Sequence, residues 1–438
     1  MRQKLEYQAD RIEAVLAVHK VPARVTGGTV TPRWIRFQVL PALGARISRI
    51  KRLSEELAAA LDTASCRVSR RGAAVTIEVP RDDPRPVRLL PLYRQLTNGE
   101  HPSTAPSEWP SRRDGAPPVT AILGLAEDGA PLLIRLPSPD VAHILVAGTT
   151  GSGKTVLMQA MILSLAMTNP APCPPFNPRG GNTDAGLALV LIDPKGHAFG
   201  HFEGLPHLAR PVIREPEEAA EALNSLVRLM ERRHPRPPRG HPREGVASLP
   251  FISEGVASLP FRLEGSSRPL TEARGNETAT EARPGEWDPS HIVVVIDELA
   301  DLLMTGGKPV QRALTRLTQR GREVGIHVVA ATQKPTTAVL GPLVKANFPV
   351  RLVGHVTSIT DARTATGWSG TGAERLMGRG DFLAVAEGRV IRFQAAHVLP
   401  QEIREVVACL AQTTLAPTSH TSRVSLPRPP VRMLTDVL

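Results

Sequence analysis

His143-Ile-Leu-Val-Ala-Gly148-Thr-Thr-Gly151-Ser-Gly153-Lys154-Thr155 is the stretch from which this 438-residue chain is best read. Ile144 to Ala147 form an apolar run, the pattern of a strand covered on both faces. The next eight residues, Gly148 to Thr155, fit G-x-x-x-x-G-K-[ST], the Walker A phosphate loop. Residues 156–167 are helix formers without Gly or Pro, so the strand–loop–helix context of the motif is present. Gly148, Gly151 and Gly153 permit backbone dihedrals closed to other residues and a close approach to phosphate oxygens. The N–H groups of Gly148, Thr149, Thr150, Gly151, Ser152 and Gly153, with the helix N-terminus behind them, present positive charge to an anion. Lys154 can reach β- and γ-phosphates, and the Thr155 hydroxyl can ligate Mg²⁺.

Three further apolar runs extend the pattern. Residues 187–192 end in Asp193-Pro-Lys195-Gly, and residues 326–331 end in Thr332-Gln333. Residues 292–296, IVVVI, run straight into Asp297-Glu298. A buried strand ending in Asp-Glu is the Walker B pattern, in which Asp297 holds Mg²⁺ and Glu298 polarises the attacking water. Asp and Glu also suit a helix N-terminus for dipole reasons, but the phosphate loop upstream decides for the catalytic reading. Gln333 suits a γ-phosphate sensor and equally a plain polar strand end. With strands near 350–354 and 381–386, the alternation predicts an α/β fold with a mostly parallel sheet and helices on both faces. Ligand then belongs at the carboxyl ends of the strands, where these motifs fall.

Composition sets the bounds. Lys plus Arg number 53 against 42 Asp plus Glu, a formal charge of +11. Such an excess suits a polyanionic partner, and it also suits an Arg-rich chain without one. Cys66, Cys173 and Cys409 lie far apart and form no C-x-x-C pair, which indicates neither a zinc site nor a disulfide framework and fits a reducing compartment. The charged, helix-patterned N-terminus is unlike a signal peptide, and no apolar run approaches the roughly 20 residues that cross a bilayer. A soluble cytoplasmic protein with no direct membrane insertion is expected.

The chain divides by pattern. Residues 1–80 predict a small α+β unit: a helix over 5–18, strands near 23–29 and 34–40, a long helix in ISRIKRLSEELAAAL, and a hairpin turned at Arg70-Arg71-Gly72. Arg46, Arg49, Lys51 and Arg52 crowd the start of that helix; such a cluster can meet phosphates, but a solvated helix face is the preferred reading. Residues 81–118 carry so many prolines that regular helix and central strand are not expected there, and they read as a surface linker. Residues 119–412 form the larger unit, with a hairpin over 119–136, helices over 217–233 and 308–323, and a last helix over 400–412. Inside it, 234–290 contains a direct repeat, EGVASLPF at 244–251 and 254–261, and reads as a disordered insertion. Residues 413–438 are expected to be a flexible tail, too short for a further domain.

Taken together, HILVAGTTGSGKT, LIDPKG, PHLARPV, IVVVIDELADLL, GIHVVAATQKP, VKANFPVR, TDART and GAERLMGRGDFL occur in the order that they take in the FtsK/SpoIIIE family, and the chain resembles that family over about 119–412. The N-terminal unit is similar to the family's smaller motor subdomain. The resemblance implies a P-loop NTPase of the RecA-like type, using ATP and Mg²⁺ to translocate double-stranded DNA as a homo-oligomer, a hexameric ring. It implies Lys154 and Thr155 as phosphate and Mg²⁺ ligands, Asp297 and Glu298 as the Walker B pair, and Gln333 as sensor. It also implies Arg322 as a residue acting on a neighbouring subunit's γ-phosphate, with Arg351 and Arg363 as weaker candidates; a surface ion pair is the alternative for each. The family's membrane anchor and winged-helix reader domain have no counterpart in this pattern. A DNA pump of a mobile or conjugative element is the alternative function, and a protein-export ATPase of the type VII kind is a more distant one.

Overall fold

A computed structural model describes residues 2–42, 44–63, 65–71, 74–97, 119–172, 186–233, 289–333, 347–415 and 432–433. The expected insertion and most of the linker and tail lie outside the described residues.

The N-terminal unit comprises α1 (Arg2–Val18), β1 (Ala23–Val30), β2 (Trp34–Pro41), α2 (Ile47–Arg52), α3 (Ser54–Ala60), β3 (Arg67–Arg71) and β4 (Ala74–Pro80). Its strands make an antiparallel sheet in the order β1-β2-β4-β3. Alternation in WIRFQVLP turns Ile35, Phe37 and Val39 to the helices, where they meet Ile12, Leu16, Ile50, Leu57, Val75, Ile77 and Val79 in one core. The expected long helix is two short ones that meet at Leu53, whose φ of −87° and ψ of 21° leave the helical region. The basic residues of α2 are exposed, and only Ile50 of that helix is buried.

The proline-rich connection departs from expectation. Val87–Arg88 form β5, and α4 (Leu89–Thr97) follows with Pro91 inside it. Proline at the third helical position removes an N–H that has no acceptor within the helix, so its density does not forbid this turn. α4 buries Leu89, Leu92 and Tyr93, and Tyr93 Oη donates to Met167 O at 3.2 Å.

The larger unit then runs β6 (Thr120–Ala126), β7 (Pro131–Arg135), β8 (Ile144–Ala147), α5 (Lys154–Thr168), β9 (Leu187–Ile192), α6 (Pro216–Arg233), β10 (His291–Ile296), α7 (Leu299–Arg320), β11 (Ile326–Thr332), β12 (Val350–Val353), α8 (Ile359–Thr366), β13 (Asp381–Ala386), β14 (Arg389–His397) and α9 (Pro400–Leu415), with β15 (Arg432–Met433) beyond. One sheet of 11 strands holds them in the order β15-β7-β6-β14-β13-β12-β8-β11-β10-β9, with β5 paired to β14. β12, β8, β11, β10 and β9 are mutually parallel, as expected. β13, β14, β6 and β7 continue the sheet antiparallel, a flank that the buried runs did not distinguish.

Both faces are covered. Ile144, Val146, Leu189 and Leu191 pack with α5, while Leu145, Val190, Ile192 and Val294 pack with α6 and α7. α5 is apolar on nearly every side, because the sheet lies beneath it and α4 rests on it. α7 begins earlier than the expected 308, at Leu299, and breaks at Gly307, whose φ of 55° and ψ of −148° suit glycine alone. Pro309 then opens the second stretch of that helix. The tail is not wholly apart from the sheet: β15 pairs in parallel with β7. Among the described residues no helix is long and apolar enough to cross a membrane.

Candidate active site

β8 has β11 on one side and β12 on the other, so the chain leaves it toward β9 in one direction and returns to β12 in the other. This is the switch point of the parallel strands, where the loops diverge and leave a crevice. The phosphate loop fills its floor. Gly148, Gly151 and Gly153 have φ of 150°, 79° and 102°, all in the region that favours glycine. A Cβ on Gly153 would stand 2.7 Å from Gly380 N, so this glycine is required for space as well as conformation. Thr149 N and Oγ1 both donate to His355 O, at 2.8 and 3.1 Å, and Ser152 Oγ donates to Thr149 O at 2.7 Å. The loop is thereby fixed by its own hydroxyls.

Lys154 is buried and curls back on the loop, its Nζ donating to Gly148 O at 2.7 Å and Thr149 O at 3.0 Å. Burial pushes its ammonium down to about 8, against the pull of Glu298 and Asp297. Thr155 Oγ1 lies 3.4 Å from Asp297 Oδ1. Burial pushes the Asp297 carboxyl up to about 6, helped by the nearby carboxylates of Asp193 and Glu298. Asp193 is itself occupied by three backbone N–H groups, those of Gly196, Ala198 and Phe199. It holds the turn after β9. Lys195, on that turn, pairs with Asp301 at 3.0 Å.

Glu298 is 2% exposed and caps α7 by accepting from Ala300 N at 3.4 Å. It also accepts from Gln333 N, at 3.3 Å on one oxygen and 3.1 Å on the other. The Gln333 side chain accepts from Thr150 Oγ1 at 2.8 Å. A continuous path thus joins the end of β10 to the end of β11 and on to the phosphate loop. An adjacent hydroxyl and carboxylate, Thr155 and Asp297, form the hard oxygen set that Mg²⁺ prefers, so the residues fit that ion.

Arg322 is elsewhere. It is exposed in the turn before β11, at the end of the sheet opposite the phosphate loop. Arg363 is exposed on α8, and Arg351 is half-buried, with Nη1 3.4 Å from Ala365 O.

A cavity of about 570 Å³ opens off the loop, lined by Thr150, Gly151, Gly153, Lys154, Thr155, Val156 and Gln333 on one side. Its other wall comes from Arg33, Pro84–Val87, Arg379, Gly380, Gln394, Ala395 and His397. Sequence reading missed this wall. Its residues come from the N-terminal unit, the proline-rich connection, β14 and the Arg379-Gly380 pair of GAERLMGRGDFL, and no single motif ties them together.

The FtsK/SpoIIIE family pattern matches residues 110–337, and the FtsK alpha domain pattern matches residues 1–81. The chain belongs to the FtsK/SpoIIIE family. The "DNA translocase FtsK" of Mycobacterium leprae is 34% identical over 412 residues, covering 93% of this chain and 43% of that protein. The protein of the same name from Pseudomonas aeruginosa is 33% identical over 422 residues, covering 93% and 47%. The chain thus spans less than half the length of these family members. Among solved structures, the conjugation coupling protein TcpA with ATPgS covers 91% of this chain at 18% identity, with a TM-score of 0.48. The cytoplasmic domain of the Thermomonospora curvata type VII secretion ATPase EccC covers 74% at 23% identity, with a TM-score of 0.49.

Proposed function

We propose that the chain is an ATP-driven translocase of double-stranded DNA that works as a ring of identical subunits, hexameric as the family resemblance implies. The observation that carries this reading is the convergence of Lys154, Thr155, Asp297, Glu298 and Gln333 at the strand ends of a chain in this family. ATP is the substrate. On its arrival Lys154 exchanges two loop carbonyls for phosphate oxygens, and the loop N–H groups and the start of α5 take the rest of that charge. Thr155 and Asp297 would hold Mg²⁺, which neutralises phosphate charge when bound. Glu298 orients and polarises the attacking water, and Gln333, released from Thr150, reads the γ-phosphate. Arg322 of one subunit supplies a guanidinium to the site of the next.

The excess of basic residues supports a grip on the DNA backbone, independent of sequence and weakened by salt. ATP hydrolysis with and without long duplex DNA, on the wild type and Lys154→Ala, tests the proposal. Stimulation by DNA at low salt, fading as salt rises and absent from Lys154→Ala, is expected. Hydrolysis indifferent to duplex DNA at every salt concentration would overturn the motor reading.

A further inference from the structure

A second loop holds the phosphate loop from behind. Arg379 N donates to Gly151 O at 3.0 Å, and Gly380 N donates to Ser152 O at 2.8 Å. A side chain on Gly378 would press on Gly151 O at 3.3 Å, and one on Gly153 on Gly380 N at 2.7 Å. The two loops are therefore in backbone contact along their length, and neither shifts without the other.

The far side of the 377–380 loop faces the N-terminal unit. Arg33 stands in the turn between β1 and β2 and crosses to it: Nη1 donates to Gly378 O at 3.1 Å, Arg379 O at 3.0 Å and Gln394 Oε1 at 3.1 Å. Gln394 Nε2 completes the joint by donating to Arg379 O at 3.1 Å. The turn that carries Arg33 is stiff. Thr31 N donates to Trp34 O at 2.8 Å, Arg81 N to Arg33 O at 2.9 Å, and Arg85 N to Pro32 O at 2.8 Å.

A buried ionic relay runs beside this contact. Glu78 of β4 accepts from Arg36 of β2 and, at 2.9 Å, from Arg392 of β14. Arg392 also donates to both Asp381 oxygens at 2.8 Å, and Asp381 Oδ2 accepts from Met377 N at 3.0 Å, at the root of the same loop. The relay locates β4 against β14, and Arg33 carries that location to the loop.

We propose that Arg33 is a positioning residue for the nucleotide site. Acting through the 377–380 loop, it keeps Gly151–Gly153 in the conformation that receives phosphate, so that the placement of the N-terminal unit sets nucleotide affinity. The inference rests on the nucleotide-binding part of the function proposed above. A guanidinium anchored to two carbonyls and an amide orders the loop before ligand arrives, and preorganisation of this kind lowers the apparent dissociation constant.

The test compares the wild type with Arg33→Ala and Arg33→Lys. Arg33 is half-exposed, so its loss leaves the core intact. In nucleotide-free protein, hydrogen exchange at Arg379 and Gly380 is expected to quicken about tenfold in Arg33→Ala, with β10 and β11 amides unchanged. The dissociation constant for a fluorescent ATP analogue with Mg²⁺ should rise about fivefold, and Arg33→Lys should restore both measures to within about twofold. Unchanged exchange at those two amides overturns the proposal. So does uniform acceleration across β10 and β11, which marks a general loss of stability. Weaker binding with unchanged exchange also overturns it, since Arg33 would then be a direct ligand. A wild type that binds nucleotide but lacks DNA-stimulated hydrolysis would sink the motor reading and leave this comparison fully readable.

Discussion

Glu298 performs two tasks with one carboxylate. It caps α7, and it accepts the main-chain N–H of Gln333, so the residue proposed to activate water also holds the residue proposed to sense phosphate. The amide in Glu298→Gln keeps one acceptor for these N–H groups and loses the charge that polarises water. Nucleotide affinity is then expected to stay within about threefold of the wild type, while turnover falls at least ~100-fold, the scale of a positioned general base. Equilibrium binding of an ATP analogue and steady-state hydrolysis check the two halves separately. A variant that retains a tenth of wild-type turnover would remove Glu298 from the reaction. The Walker residues were legible in the sequence because each lies within a short contiguous motif. Arg33 was not legible: its acceptors lie some 345 residues further along the chain, and a lone arginine in a turn has no spacing to announce it.

Among the elements, the parallel strands carry an oddity at the ends away from the nucleotide. His143 and His327 are 1% and 0% exposed, and the ring of His291 stacks on that of His327 at 5.7 Å. His143 Nδ1 accepts from Val328 N, so that imidazole is neutral; the Nε2 atoms of His143 and His327 are without a partner. Burial lowers His143 to about 4 and His327 to about 3, and the charge of Arg322 adds to both shifts. The folded-state values lie below the ordinary 6.5, so the unfolded chain takes up protons first. Stability from these groups is present above pH 6.5 and drains as pH falls toward 4. Each contributes a slope of about 1.4 kcal/mol per pH unit across that window. Urea unfolding at pH 7, 6 and 5 should show the fall, and His143→Gln should make it shallower. An identical slope in that variant would contradict the assignment. At this scale the parallel strands were legible because each is a continuous apolar run; β14, RVIRFQAAH, is not such a run and was not legible. Nor was α4, because it tolerates Pro91 in its first turn and composition alone does not show where a helix begins; of α7, the stretch from 308 was read with Pro309 in it, and the stretch before the Gly307 break was not.

For the whole molecule, the decisive fact is where Arg322 stands relative to its own nucleotide site. The seven residues of β11 separate them, about 23 Å at the rise of a strand, so this guanidinium does not reach the phosphate loop of its own chain. Ile359 and Met377, 67% and 46% exposed, flank the loop side of the sheet with uncovered apolar surface. A neighbouring subunit that covers that surface can bring its own Arg322 to the site, as a head-to-tail ring requires. Complementation distinguishes this arrangement from one chain working alone. Lys154→Ala subunits lack a working phosphate loop and keep Arg322; Arg322→Ala subunits have the reverse defect. Each variant alone is expected to be inactive. When the two are mixed in equal amounts, about a quarter of the interfaces pair an intact loop with an intact arginine, and hydrolysis should recover to roughly that fraction of wild type. Mixtures no more active than either variant alone would show that Arg322 does not act across an interface.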